Sequence, residues 1–229
     1  MAVSINSVYQ KVLTIANKEQ RGYVTPVQFN LLANQAQEDI FSQYFYDLNQ
    51  FHRIKGNDSN NADQLEILKE KISIFETSTT DLSIKPLDFY KISDVANTKT
   101  SSVAQHLTRR EFNLIFNHPL TSPTANTPVY IMDDEEWVKV SPSQEENYTV
   151  YYIRKPKKVK WGYNLLSGSG GKEVPLYNSN TSNNFELHDS EEPQLVNQLL
   201  KLVGIMIKDP TLYQTGSQEE IKKIQQEKQ

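Results

Sequence analysis

The chain reads as an α+β protein: a helical bundle from the N- and C-terminal helices, with a β-rich insertion between them and an extended C-terminal arm. Three observations predict it. Apolar residues recur at spacings of three and four up to about residue 76 and again from Ser190, which is the period of an amphipathic helix. From Thr77 to about Trp161 they are β-branched or aromatic, alternate with polar residues and are broken by prolines, as in half-buried strands. No β-α-β alternation is present, which argues against a doubly wound nucleotide fold. The parts are drawn at 1–76 for the first bundle helices, 77–189 for the insertion with a long loop, and 190–229 for the helix and docking arm that complete the bundle.

The first helix is expected from about Ser4 to Glu19, because Ile5, Val8, Tyr9, Val12 and Ile15 or Ala16 form one stripe and Gly22 is a natural stop. The second opens on Thr25, Pro26 and Gln28, a cap, a first-position proline and a capping box. Phe29, Leu32, Ala33, Ala36, Ile40, Tyr44 and Phe51 share a face, and Phe41, Phe45 and Leu48 widen it from Ile40 onward. Its second half is therefore expected to be covered on more than one side. After a loop at Lys55–Asn61, a third helix is expected over Ala62–Phe75, with Leu65, Leu68, Ile72 and Phe75 inward.

In the insertion, Asp88–Val95, Pro128–Met132, Glu136–Val140 and Tyr148–Arg154 read as strands. A short helix capped by Thr108 and Glu111 turns Phe112, Ile115 and Phe116 inward. Asn164–Asn184 is rich in Gly, Ser and Asn, with one apolar island at Val174–Tyr177, and reads as a long loop or arm. Helical signals return at Ser190 with Glu191, Glu192 and Pro193 in the first turn. Leu195, Leu199, Leu202 and Met206 then form a stripe, which Val196, Leu200, Val203 and Ile207 widen, before Asp209–Pro210 ends the helix. Gln218–Lys228 is polar and helix-favouring.

Composition removes several chemistries. The 229 residues include no cysteine, so thiol nucleophiles, Cys-ligated zinc, iron–sulfur clusters and disulfides are excluded. The start, MAVSINSVYQK, lacks a basic and apolar leader, and the most apolar stretch, Leu199–Ile207, is too short to span a bilayer. A soluble chain with no membrane role is expected. The net charge of −4 argues against free nucleic-acid binding as the main activity, since phosphate neutralisation needs a basic excess.

No catalytic constellation emerges. GSGGKE at Gly168–Glu173 misses the phosphate-loop pattern, with Leu166 where a Gly is required and Glu173 where a Ser or Thr is required. Asp133, Asp134, Glu135 and Glu136 are consecutive and read as a hairpin turn, without the spacing of a calcium loop. His52, His106, His118 and His188 are scattered with no ligand spacing. The reading is a non-enzyme without cofactor or metal.

Two segments point to contacts. Arg154, Lys155, Lys157, Lys158 and Lys160, followed by Trp161 and Tyr163, form the one dense basic run. It suits a solvated, lysine-protected edge, or contact with a DNA backbone or an acidic partner, with an aromatic for stacking. Over the last dozen residues only Ile221 and Ile224 are apolar, and burying both would yield at most roughly 3–6 kcal/mol. Ordering a dozen backbone units costs on the order of 1 kcal/mol each or more. An outside surface is therefore expected to hold this end, through Leu212, Tyr213, Ile221 and Ile224.

The stretch VYQKVLTIANKEQRGYVTPVQFNLLANQAQEDIFSQYFYDLNQF at Val8–Phe51 resembles the N-terminal region of small virion proteins of crAss-like, short-tailed bacteriophages. LLKLVGIMIKDPTLYQTGSQEEIKKIQQEKQ at Leu199–Gln229 is similar to their C-terminal region, and the two cover about a third of the chain. The resemblance implies a ring-forming head–tail connector, or adaptor, in the neck of the virion, made in the bacterial host cytoplasm. It also implies a homo-oligomeric ring, commonly a dodecamer, with the portal protein and other tail or ring proteins as partners and non-specific contact with genomic DNA. The alternatives are another virion component, such as a tail or capsid-vertex protein, or an intracellular DNA-binding or regulatory phage protein.

Overall fold

A computed structural model describes residues 3–18, 24–53, 59–116, 118–133, 137–142, 147–167, 173–207, 213–214, 216–218 and 221–222. In chain order the elements are α1 (Ile5–Lys18), α2 (Pro26–Arg53), α3 (Ser59–Ser73), β1 (Glu76–Thr79), β2 (Phe89–Asn97), β3 (Gln105–His106), α4 (Arg109–Phe116), β4 (Val129–Met132), β5 (Val138–Ser141), β6 (Tyr148–Arg154), β7 (Tyr163–Ser167), β8 (Glu173–Tyr177) and α5 (Glu192–Ile207). Helices and sheets are both present, so the fold class is α+β. The chain divides into two compact units, Met1–Ile74 with Pro156–Gln229, and Phe75–Lys155. The expected insertion ran to residue 189; the second boundary instead falls at Lys155, and residues 156–189 group with the helices.

In the helical unit, α5 packs on α1 and α2, and α3 on α2. α1 buries Ile5, Val8, Tyr9, Val12 and Ala16, while Ile15 stays exposed. The box that opens α2 is formed: Gln28 N donates to Thr25 Oγ1 (3.3 Å) and Thr25 N to Gln28 Oε1 (3.1 Å). Phe29, Ala33, Ala36, Ile40, Phe41, Tyr44 and Phe45 are all buried, so the second half of α2 is covered on more than one side; the Phe51 side chain lies outside the described residues. α5 buries Leu195, Val196, Leu199, Leu200 and Val203. Glu191, in the turn before it, is 1% exposed and forms an ion pair with Lys71 of α3 at 2.5 Å, because a buried carboxylate requires a cation. α3 differs from expectation at both ends. It begins at Ser59, inside the expected Lys55–Asn61 loop (54–58 lie outside the described residues), and stops at Ser73, before the buried Phe75.

The second unit holds two three-stranded sheets, ordered β1-β6-β2 and β3-β4-β5, antiparallel except for β3–β4. Main-chain bonds tie the second sheet to the first sheet and its β1–β2 loop: Ala104 N donates to Val95 O (2.7 Å), and Val138 N to Leu82 O (3.0 Å). Leu82, Ile92, Val95, Tyr130, Trp137, Val140, Tyr148, Val150 and Tyr152 fill the core that these strands share. α4 starts on the expected box, with Thr108 N donating to Glu111 Oε2 (2.9 Å). Its Phe112 packs with Leu107, Val129 and Ile131, and Ile115 lies against that cluster. Phe116, expected inward, is 62% exposed: it is the last residue of α4 and stacks on Phe112 (6.1 Å). β1 and β3 carry no apolar alternation to announce them; pairing with β6 and β4 defines them.

The largest departure lies in Asn164–Asn184, expected as a loop. Tyr163–Ser167 and Glu173–Tyr177 pair antiparallel, Leu165 opposite Pro175 and Leu166 opposite Val174, and Ser179–Thr181 forms one 3-10 turn.

Candidate functional site

The basic run is divided by the boundary between the units. Arg154 and Lys155 belong to the strand-rich unit, where Lys155 N donates to Asp88 O (2.6 Å). Lys157, Lys158 and Lys160 belong to the helical unit. There α2 grips the backbone of the run with three amide side chains spaced along one face. Asn30 accepts from Trp161 N (2.6 Å) and donates to Trp161 O (3.2 Å); Asn34 accepts from Val159 N (3.0 Å) and donates to Val159 O (2.9 Å). Gln37, 1% exposed, donates to Lys157 O (2.8 Å) and accepts from Glu186 N (3.0 Å). Asn30 and Asn34 each supply the donor and acceptor that a neighbouring strand would offer, and Gln37 links Lys157 to Glu186, so this extended segment satisfies much of its main chain against a helix.

On the opposite side Lys160 and Asn183 exchange two main-chain bonds (3.2 and 2.8 Å). Val159 and Trp161 are thereby buried while Lys158 and Lys160 face solvent, by the alternation of an extended chain. Lys157 Nζ stands 3.9 Å from Glu186 Oε1, which offsets part of its charge. Trp161, expected as a stacking aromatic, is 2% exposed: its ring lies 4.4 Å from that of Tyr9 and 5.7 Å from that of Tyr177, and Nε1 donates to Asn6 (3.1 Å). It is core. At Gly162 a Cβ would meet the Thr181 carbonyl at 2.7 Å, so only glycine allows this approach.

At the C-terminal end, Leu212 and Ile224 lie outside the described residues. Tyr213 and Ile221 are 39% and 52% exposed. Residues 213–214, 216–218 and 221–222 are helical, and Gly216 is buried against α5. A Cβ there would stand 3.1 Å from both Asn197 O and Lys201 N, the partners of one α5 helical bond position. The arm was expected to be extended; at Gly216 it instead lies on the chain's own α5.

The surface that sequence reasoning missed is the β7–β8 ribbon. Leu165, Leu166, Val174 and Leu176 each keep 54–56% of their surface exposed. Leu165 and Leu166 are adjacent, so they point to opposite faces, and both faces carry bulky apolar side chains. At the base, Tyr163 stacks on Trp161 at 5.8 Å. The signal was available in YNLLS and EVPLY, two five-residue runs flanking Gly and Ser, although the glycines and asparagines around them outweighed it.

Several other polar groups singled out in the sequence have partners within the chain. Asp133 pairs with Arg109, and residues 134–136 of the acidic run lie outside the described residues. His106 packs on Tyr130 (5.1 Å), and His188 accepts from Ser190 N (3.3 Å). Burial, with Asp94 nearby, pushes the Tyr130 hydroxyl above its ordinary value. Among the described residues no three His, Asp or Glu side chains are grouped to hold a metal. None of their helices is long and apolar enough to cross a membrane. No protein-family model matches the chain, and no curated protein matches its sequence.

Proposed function

We propose that the chain is a non-enzymatic structural subunit of a tailed-phage virion, a ring-forming head–tail connector that joins portal to tail and supports the DNA passage. In this reading the terminal helices form a bundle, the strand-rich unit is an insertion, and the C-terminal segment is a docking arm. The observation that supports it best is the β7–β8 ribbon. A two-stranded ribbon is marginal alone in water, and one with apolar residues exposed on both faces is suited to burial by a neighbour. The likeness of Val8–Phe51 and Leu199–Gln229 to virion proteins gives the assembly its class, and Lys158 and Lys160 give each subunit a solvated basic pair that a ring would repeat.

The test is the copy number and neighbours of the chain in purified particles, by quantitative mass spectrometry and cross-linking. A ring of about twelve copies next to the portal is expected. Absence from particles, with salt-dependent DNA binding by the monomer, would replace this reading with a regulatory one.

A further inference from the structure

Among the described residues the three sheets have six edges, and two of them, on β7 and β1, present outward main-chain groups, on residues that are not buried, at two alternate positions with no partner. β2 is bonded beyond its edge by Ala104 N to Val95 O (2.7 Å) and by Asn97 N to Ser102 O (2.9 Å). Two register shifts interrupt the rest of β2, which protects an edge. β3 is only two residues long and has a single outward residue, His106, while on β5 Val138 is bonded by Leu82 and the other outward residue, Val140, is buried at 8% exposure. The other three edges, those of β8, β7 and β1, follow from the alternation of antiparallel ladders, in which every second residue aims its main chain outward.

Asn178 N donates to Gly162 O (2.8 Å). Counting by twos along the register, Asn164–Leu176 and Leu166–Val174 are bonded pairs, whereas Tyr163–Tyr177 and Leu165–Pro175 face outward. Pro175 therefore puts its missing N–H on the outer edge of β8, which blocks it. On β7 the outward N–H groups of Tyr163 and Leu165 meet no partner among the described residues. Likewise Arg154 N donates to Phe75 O (2.9 Å), so Thr77 and Thr79 bond to β6, while Glu76 and Ser78 aim outward. Both are exposed, and their main-chain groups also meet no partner among the described residues.

The two open edges are of matching length, four and five residues, and lie one in each unit. We propose that β7 of one copy pairs edge to edge with β1 of the next. This rests on the ring-subunit reading above and names its contact. A second copy is the occupant because each chain carries both halves, an unblocked β7 and an unblocked β1. Two different edges make the contact head-to-tail, the kind that closes into a ring when its rotation allows. Blocking of β8 by Pro175 leaves the ribbon a single way to extend, and a neighbour alongside β7 covers the apolar faces around Leu165 and Leu166.

Proline on an edge strand is tolerated where its nitrogen faces outward. Leu165→Pro and Ser78→Pro therefore each delete one outward donor without touching an internal ladder bond, as Pro175 already does opposite Leu165. Mass photometry and sedimentation of the full chain across a concentration series supply the readout, with circular dichroism to verify the fold. Wild type is expected to associate, each proline variant to associate at least about tenfold more weakly, and Leu165→Ala, which keeps the outward N–H, to associate more tightly than Leu165→Pro. An equal mixture of the two proline variants is expected to stop at pairs, since each keeps only the edge that the other has lost. Amide exchange at Leu165 and Ser78 is expected to slow on association. The pairing is overturned if both proline variants associate like wild type, if their mixture grows past pairs, or if wild type stays monomeric throughout. Such a failure with many copies still counted in particles would leave the connector reading standing.

Discussion

Asn34 makes with one side chain the two bonds that a strand would make to Val159. Removing it in Asn34→Ala leaves an N–H and a C=O beside a 3% exposed residue without partners. A loss of about 2–4 kcal/mol is expected from two unsatisfied groups, measured as a lower urea midpoint at unchanged slope. Glu111 is the opposite kind of residue, exposed and local. The N–H and hydroxyl of Thr108 donate to its carboxyl and hold it below its ordinary value of 4.5. The charged form is the one favoured by folding, so its contribution is complete above that ordinary value and disappears as pH falls through the lower, folded one. A carboxyl titration of Glu111 by NMR should show a midpoint below 4.5, and faster amide exchange in α4 should accompany its protonation. Glu111→Gln should lose that pH dependence.

At the scale of elements, local chemistry and long-range packing separate cleanly. Both capping boxes form where Thr25 and Gln28, and Thr108 and Glu111, are placed three residues apart, because the whole interaction lies within one turn. The C-terminal segment, by contrast, approaches α5 closely at Gly216. Gly216 lets it cross α5 more closely than a Cβ would comfortably allow, since that Cβ would stand 3.1 Å from Asn197 O and Lys201 N, and those are backbone atoms that cannot rotate away. Gly216→Val should lift the segment from α5 without unfolding the rest of the helical unit. Tryptic cleavage after Lys222 should then accelerate by about tenfold or more, while the main thermal transition stays in place. Unchanged cleavage would mean that Gly216 does not hold the segment.

At the scale of the whole molecule, the boundary between the two units divides the basic run. Lys157 is partly offset by Glu186, whereas Lys158 and Lys160 stand outward on a segment held by Asn30, Asn34 and Asn183. Reversing both as Lys158→Glu and Lys160→Glu should shift stability by no more than about 0.5 kcal/mol, as for other solvated positions. Under the connector reading, particles carrying the pair should assemble yet retain less DNA; full retention would remove the run from the channel. α1, α2, α4, β6 and the core face of α5 were legible in the sequence, because helical and strand periods record which side of an element is buried. β1, β3 and the β7–β8 ribbon were not, since Glu76–Thr79 and Gln105–His106 are polar and acquire strand character only from β6 and β4. Nor could spacing reveal that Trp161 is core, that residues 156–189 pack with the helices, or that the amides of α2 serve as a strand. Periodicity is a property of neighbours along the chain; a hydrogen bond from Asn34 to Val159 joins residues 125 positions apart, and only the folded chain decides which such pairs meet.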